Sequence, residues 1–198
     1  MNDMDTTLAS LIGSRICHDL ISPIGAINNG LELLTMSGEQ TGPEMGLINK
    51  SVGNASAKIR FFRVAFGAAG EQMIGPAEVN SILRDLYGDS RLAIKWAPEH
   101  PVQRIEVRLA FLALLCAENA MPYGGRLNVS TDGASWTLDG SADRLNVDPA
   151  LWCRLSDQSA PQGLQPSNVQ FALLPLIAGD TGRKITFKSD EATLKISY

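Results

Sequence analysis

Near neutral pH an imidazole is both a proton carrier and a nucleophile, and this chain holds two, His18 and His100. His18 stands in Cys17-His18-Asp19-Leu20-Ile21-Ser22-Pro23, with Arg15 one helical turn before it and Ser22 one turn after. At about 100° per residue it lies about 200° from Ile16 and Leu20 and about 180° from Ile27, so it points away from the apolar stripe those residues make. Position alone would leave it an ordinary surface histidine. Its neighbours argue otherwise. Pro23 falls inside a continuous helical pattern, where it removes a backbone donor, frees the carbonyl of Asp19 and costs on the order of 3 kcal/mol. Asp19 is itself a modest helix former. Two departures from helix chemistry beside one outward histidine are the kind of inconsistency that marks functional sites. His100, in Pro98-Glu99-His100-Pro101, reads as a surface residue of a loop.

The element that carries His18 is set by the apolar pattern. Leu8, Ile12, Ile16, Leu20, Ile24, Ile27, Leu31 and Leu34 recur at steps of three and four and make one stripe along a helix. Ser37-Gly38-Glu39-Gln40-Thr41-Gly42-Pro43 then reads as a turn. Met45, Ile48, Val52, Ala55, Ile59, Phe62 and Phe66 form a second stripe with heptad spacing. The pattern predicts two helices, each about 40 Å long at 1.5 Å per residue, in an antiparallel hairpin. A lone hairpin leaves both stripes in water. Docking onto the rest of the chain is one way to cover them. A second copy completing a four-helix bundle is favoured, because the stripes are long for the domain that remains.

Gly67-Ala68-Ala69-Gly70 closes this segment and sets the expected boundary between a hairpin domain, 1–70, and a second domain, 71–198. There the pattern predicts a helix over 77–87, a strand over 92–96 and a strongly apolar helix over 105–120. Strands follow over 126–131 and 135–138 around Asp132-Gly133. Helical pieces over 149–155 and 168–178 precede a final hairpin, 184–188 with 193–197. This order gives an α/β sandwich with a mixed sheet, and an α+β fold for the whole chain.

Composition narrows partners and place. The formal net charge is −4 with both signs interspersed and no basic block, which argues against nucleic acid as a partner. The N-terminus, MNDMDTTLAS, lacks the order of a signal peptide, and no apolar run approaches the ~20 residues of a membrane span. A cytoplasmic protein without membrane association is expected. Cys17, Cys116 and Cys153 fit neither a metal site nor a disulfide framework and read as idle thiols in a reducing compartment. No His/Cys/Asp cluster suggests a metal of the protein's own.

His18-Asp19-x-x-Ser22-Pro23 resembles the H-[DE]-x-x-[ST]-P motif of histidine-kinase dimerisation and phosphotransfer domains, which also sits on the first helix of a dimerising hairpin. The resemblance implies that His18 accepts a phosphoryl group, that Asp19 assists proton transfer from its ring, and that Pro23 kinks the helix. Arg15 and Ser22 are then candidates to contact the phosphoryl oxygens, with a solvated surface arginine the alternative for Arg15.

Leu114-Leu115-Cys116-Ala117-Glu118-Asn119-Ala120 resembles the N-box helix of the GHKL (Bergerat) ATPase fold, whose asparagine helps to hold Mg²⁺ at the nucleotide phosphates. A purely structural core helix explains the same residues. The phosphate-binding loops of active members are missing. Thr131-Asp132-Gly133-Ala134-Ser135 offers one glycine in a hairpin turn, and Ser159-Ala160-Pro161-Gln162-Gly163-Leu164-Gln165-Pro166 offers one glycine and two prolines. Gly179-Asp180-Thr181-Gly182 matches a helix-to-strand turn. Glu118 and Asn119 are therefore read as a vestigial N box in a degenerate sandwich.

The layout resembles the ChpT-type histidine phosphotransferases of alphaproteobacterial phosphorelays. That resemblance implies a homodimer that takes a phosphoryl group from the receiver of a hybrid kinase. It also implies delivery to receivers of downstream regulators, including those of the cell cycle, without ATP or a cofactor of its own. Mg²⁺ is expected on the partner receiver. Asn28, Asn29 and Glu32, on the exposed face of the first helix below His18, are the expected partner-choosing residues. Two alternatives stay open: a histidine kinase with an unusual ATP site, and a non-enzymatic interaction module of the anti-kinase kind.

Overall fold

The computed structural model describes residues 3–37, 43–68, 70–156 and 163–198. Helix α1 (Asp3–Ser37) runs unbroken through Pro23 and packs along α2 (Pro43–Ala65), which begins on a proline that needs no amide partner in a first turn. The expected turn at 38–42 lies outside the described residues. The helices approach closely at Gly30, where a Cβ would lie 2.6 Å from Ile48 Cγ1.

The two faces of the hairpin meet different fates. The C-terminal half of α2 enters the core, burying Phe61, Phe62, Val64 and Ala65. The Phe61 ring stacks on Phe111 at 4.5 Å between centroids and meets Tyr87 edge-on. The carbonyls that end α2 have no intrahelical partners. Arginines of α4 (Arg104–Ala120) supply donors: Arg104 Nη2 to the Arg63 carbonyl at 2.6 Å and Arg108 Nε to that of Ala65 at 3.3 Å. Elsewhere the expected stripes are covered in part: Leu8 and Ile48 are buried, and Ile12 and Ile16 pack against the core. Ile24 and Leu31 of α1 and Val52 and Ile59 of α2 are each about half exposed.

The remainder is a five-stranded sheet under helices, with a separate two-stranded sheet beside it. α3 (Pro76–Tyr87) buries Val79, Ile82, Leu83 and Tyr87. Strands β2 (Leu92–Trp96), β4 (Gly125–Thr131), β5 (Trp136–Ser141), β6 (Thr186–Ser189) and β7 (Thr193–Ser197) form a sheet in the order β2-β4-β5-β7-β6. The β2–β4 pair is parallel, with Leu92 opposite Gly125; the other pairs are antiparallel. The mixed sheet agrees with the sequence pattern. Leu127, Val129, Leu138, Leu194 and Ile196 face the core, whose centre is α4, apolar nearly all round. α5 (Pro149–Trp152), capped by Asp148, and α6 (Gln170–Asp180) complete the layer. A two-stranded sheet of β1 (Met73–Ile74) and β3 (Val102–Gln103) was not expected, because two residues are too short to show a period.

Asp132-Gly133 forms the β4–β5 turn. Asp132 Oδ1 accepts the amides of Ala134 and Ser135 at 2.9 and 2.7 Å, and Gly133 takes φ +93°. Those hydrogen bonds hold the Asp132 carboxyl below its usual range. The Gly179–Gly182 segment turns α6 into the last hairpin, as expected. Of the segment Ser159–Pro166, Ser159–Gln162 lie outside the described residues, as does Ala69 of the expected linker.

Candidate functional site

His18 projects from the middle of α1 with 83% of its side chain exposed. Its Nδ1 lies 3.1 Å from Asp19 Oδ1. An ionised carboxylate can only accept, so this contact assigns the ring proton to Nδ1 and leaves the Nε2 lone pair free. Asp19 is held in turn: its Oδ2 accepts from Arg15 Nε at 2.6 Å, across one helical turn. The Arg15 Nη1 also donates to the carbonyl of Ser167, in the short 3₁₀ turn Pro166–Asn168 before α6. Arg15 is therefore not a solvated surface residue: its side chain is 16% exposed, and its Nε and Nη1 both bond to the protein. Ser22 is exposed one turn beyond His18.

Behind this turn, where α1 and α2 meet the rest of the fold, lies a cleft of about 260 Å³ lined by Arg15, Asp19, Asn54, Lys58, Tyr87 and Glu118. Pro23 is buried and cannot donate to the Asp19 carbonyl. Lys58 Nζ, from α2, does so instead at 2.9 Å. Sequence reasoning identified the freed carbonyl but not its partner. Only the hairpin register brings a residue 39 positions away to that oxygen.

Glu118 accepts a hydrogen bond from Tyr87 Oη at 3.1 Å. Loss of hydration in the cleft raises the Glu118 carboxyl above its ordinary value, against the opposing pull of the Tyr87 hydrogen bond and of Arg15. Burial, then the Glu118 charge, push the Tyr87 phenol well up. Asn119 donates to Asn168 Oδ1 at 3.3 Å. Glu118 and Asn119 thus both face protein partners. Asn28, Asn29 and Glu32 are exposed. On the helical wheel Asn29 and Glu32 share the His18 face, and Asn28 lies about 80° to one side.

Cys116 is buried, which pushes its thiol well up, whereas Cys17 and Cys153 are exposed. Among the described residues no group of His, Cys, Asp or Glu could hold a metal ion, and no helix is long and apolar enough to cross a membrane.

The family model of the histidine phosphotransferase C-terminal domain matches residues 76–193. This chain belongs to the histidine phosphotransferase family. A relative, the protein phosphotransferase ChpT of Brucella abortus (strain 2308), is 33% identical over 186 residues, covering 90% of this chain and 88% of its own. The 1.7 Å structure of a bacterial phosphotransferase superposes with a TM-score of 0.80 at 32% identity, over 100% of this chain and 97% of that one. The histidine kinase AdeS of Acinetobacter baumannii matches more remotely, at 12% identity and a TM-score of 0.44 over 91% and 96% of the two chains. The phosphotransferase identity agrees with the activity expected from the sequence, and a phosphorelay is where such an activity works.

Proposed function

We propose that this phosphotransferase carries the phosphoryl group on Nε2 of His18, taking it from a phospho-aspartate of one receiver domain and passing it to another without ATP. The observation that carries the reading is the 3.1 Å contact between His18 Nδ1 and Asp19 Oδ1 on a ring whose other nitrogen faces open solvent. In the forward step the Nε2 lone pair forms a bond to phosphorus while the P–O bond to the donor aspartate breaks, and that carboxylate leaves with the electron pair. The ring becomes cationic, and its Nδ1–H is held by the Asp19 carboxylate. Delivery to the second receiver is the reverse sequence, so the same contact serves both directions. Mg²⁺ enters with the receiver. Ser22 stands where it can reach the phosphoryl oxygens. The engagement of Arg15 with Asp19 and Ser167 makes it the holder of Asp19 rather than a phosphoryl contact.

The hairpin and the sandwich act as the dimerisation unit and a degenerate GHKL domain, divided near residue 70. Support for the first is the uncovered apolar face at Ile24, Leu31, Val52 and Ile59, which a second copy would bury in a four-helix bundle. Support for the second is that Asn119 bonds Asn168 and that the only glycine of 131–135 is spent on a hairpin turn. Receiver domains of a hybrid kinase and of downstream, cell-cycle regulators are the proposed partners. Asn28, Asn29 and Glu32 are the residues that choose among them, and the cytoplasm is the proposed location.

The test is transfer from a radiolabelled phospho-receiver to the purified protein, wild type beside His18→Ala, with an ATP titration in parallel. Label on the wild type alone, without ATP binding, is the expected result. Self-labelling from ATP would make the protein a kinase, and label on neither variant with any receiver would favour an interaction module.

A further inference from the structure

The proposed mechanism uses His18, Asp19 and Arg15 but leaves one cation of the cleft without a task. Lys58 projects from α2 and donates to the carbonyl oxygen of Asp19 in α1. That oxygen lacks its helical donor because residue 23 is proline. The missing donor, the carboxylate that orients His18 and the lysine therefore belong to one residue's surroundings: the main chain of Asp19 is fixed by Lys58 and its side chain by Arg15.

We propose that Lys58 is a positioning residue for phosphoryl transfer. Its ammonium replaces the amide hydrogen that Pro23 cannot supply, holding the Asp19 backbone so that Asp19 Oδ1 stays on His18 Nδ1. This rests on the reading that His18 carries the phosphoryl group.

The arrangement explains how a proline can sit in the acceptor helix without loosening it where the chemistry is done. An α1 with alanine at position 23 would bond the Asp19 carbonyl within itself. With proline, the bond is made across the hairpin, and the geometry of the acceptor turn depends on the register between α1 and α2. A charged donor suits the place, since an ammonium makes a stronger bond to a carbonyl than a neutral group does. Small errors of placement are costly in such a site, because a displacement of about 1 Å can cost up to roughly a hundredfold in rate.

A lysine that merely capped a carbonyl would affect melting and nothing else, so the experiment reads transfer and ring geometry as well as stability. Single-turnover transfer from a phospho-receiver is measured for wild type, His18→Ala, Lys58→Met, Lys58→Arg, Pro23→Ala and the Pro23→Ala/Lys58→Met pair. We expect Lys58→Met to lower the rate at saturating receiver by about tenfold or more, with the half-saturating receiver concentration within about twofold of wild type. Its His18 ring ¹⁵N shifts should move from one tautomer to a mixture. Lys58→Arg, which keeps a donor, should restore most of the rate. In the Pro23→Ala background, where the helix bonds its own carbonyl, removing Lys58 should change little.

A folded Lys58→Met protein with wild-type rate and tautomer overturns the proposal. So does a penalty that persists undiminished in the Pro23→Ala background, or one confined to receiver affinity. If Lys58→Met does not fold, the double variant, which has no orphaned carbonyl, must fold, and its failure also overturns the proposal. Wild type that takes no label that His18→Ala lacks would instead refute the phosphotransfer reading itself, which separates the two failures.

Discussion

Replacing Asp19 by asparagine exchanges one heavy atom, an oxygen for a nitrogen, and should invert the chemistry of the ring beside it. In the native turn Asp19 Oδ2 is held by Arg15 Nε at 2.6 Å, and Oδ1 accepts from His18 Nδ1 at 3.1 Å. An asparagine has one oxygen, and the guanidinium of Arg15, a donor only, claims it. The amide nitrogen is then presented to His18, where it can only donate. Nδ1 must accept, the ring proton moves to Nε2, and the nucleophilic lone pair is lost. The cost has two parts. A bond to a charged acceptor, worth about 1.5 kcal/mol at so exposed a ring, is forfeited, and the wrong tautomer gains a neutral bond of about 1 kcal/mol. Together they come to about 2–3 kcal/mol, or roughly a 30- to 150-fold slower transfer. The assay is rapid-quench transfer from a saturating phospho-receiver, paired with ¹⁵N shifts of the His18 ring. A rate within about threefold of wild type, or an unchanged tautomer, would refute the assignment of Asp19 as the residue that orients the ring.

Glu118 and the hairpin give two further expected outcomes. Because the Glu118 carboxyl is raised, the folded state holds its proton more tightly than the unfolded chain, and ionisation weakens the fold as pH rises through the raised value. Glu118→Gln keeps an acceptor for Tyr87 without the charge, so its melting temperature should match wild type near pH 4 and exceed it modestly by pH 7. A variant less stable at neutral pH would mean that attraction to Arg15 and Lys58 outweighs the loss of hydration. For the hairpin, Ile24→Asp combined with Ile59→Asp puts two charges on the uncovered apolar face. Light scattering should report a dimer for the native protein and a folded monomer for the double variant, whereas a native monomer would remove the bundle.

What the sequence revealed depended on whether one element sufficed. His18 was legible because a helical wheel places it opposite Ile16, Leu20 and Ile27 using α1 alone, and 83% exposure agrees. The strands of the large sheet were legible from alternation, and the Asp132-Gly133 turn from residue type. Arg15 was half legible: its spacing to His18 was clear, but its bond to the Ser167 carbonyl joins positions 152 residues apart. Lys58 was invisible for the same reason, since nothing near it in the chain marks it as the donor that Pro23 lacks. The second stripe was legible as a stripe, yet it serves two surfaces: Phe62 enters the chain's own core while Val52 and Ile59 stay outside it. Helical periodicity gives the direction of a side chain and is silent about which body it will meet.

The stacking of Phe61 on Phe111 has a consequence for how signals move through this molecule. An enzyme that phosphorylates its own histidine from a nucleotide held on a second domain needs a joint between the two, so that one can swing onto the other. Here the second helix is keyed into the core by that aromatic pair, its end is bolted by Arg104 and Arg108, and the first helix is tied across by Arg15. The joint is welded. On the proposed function, movement between donor and acceptor falls to the receivers rather than to a swing of one part of this chain onto another.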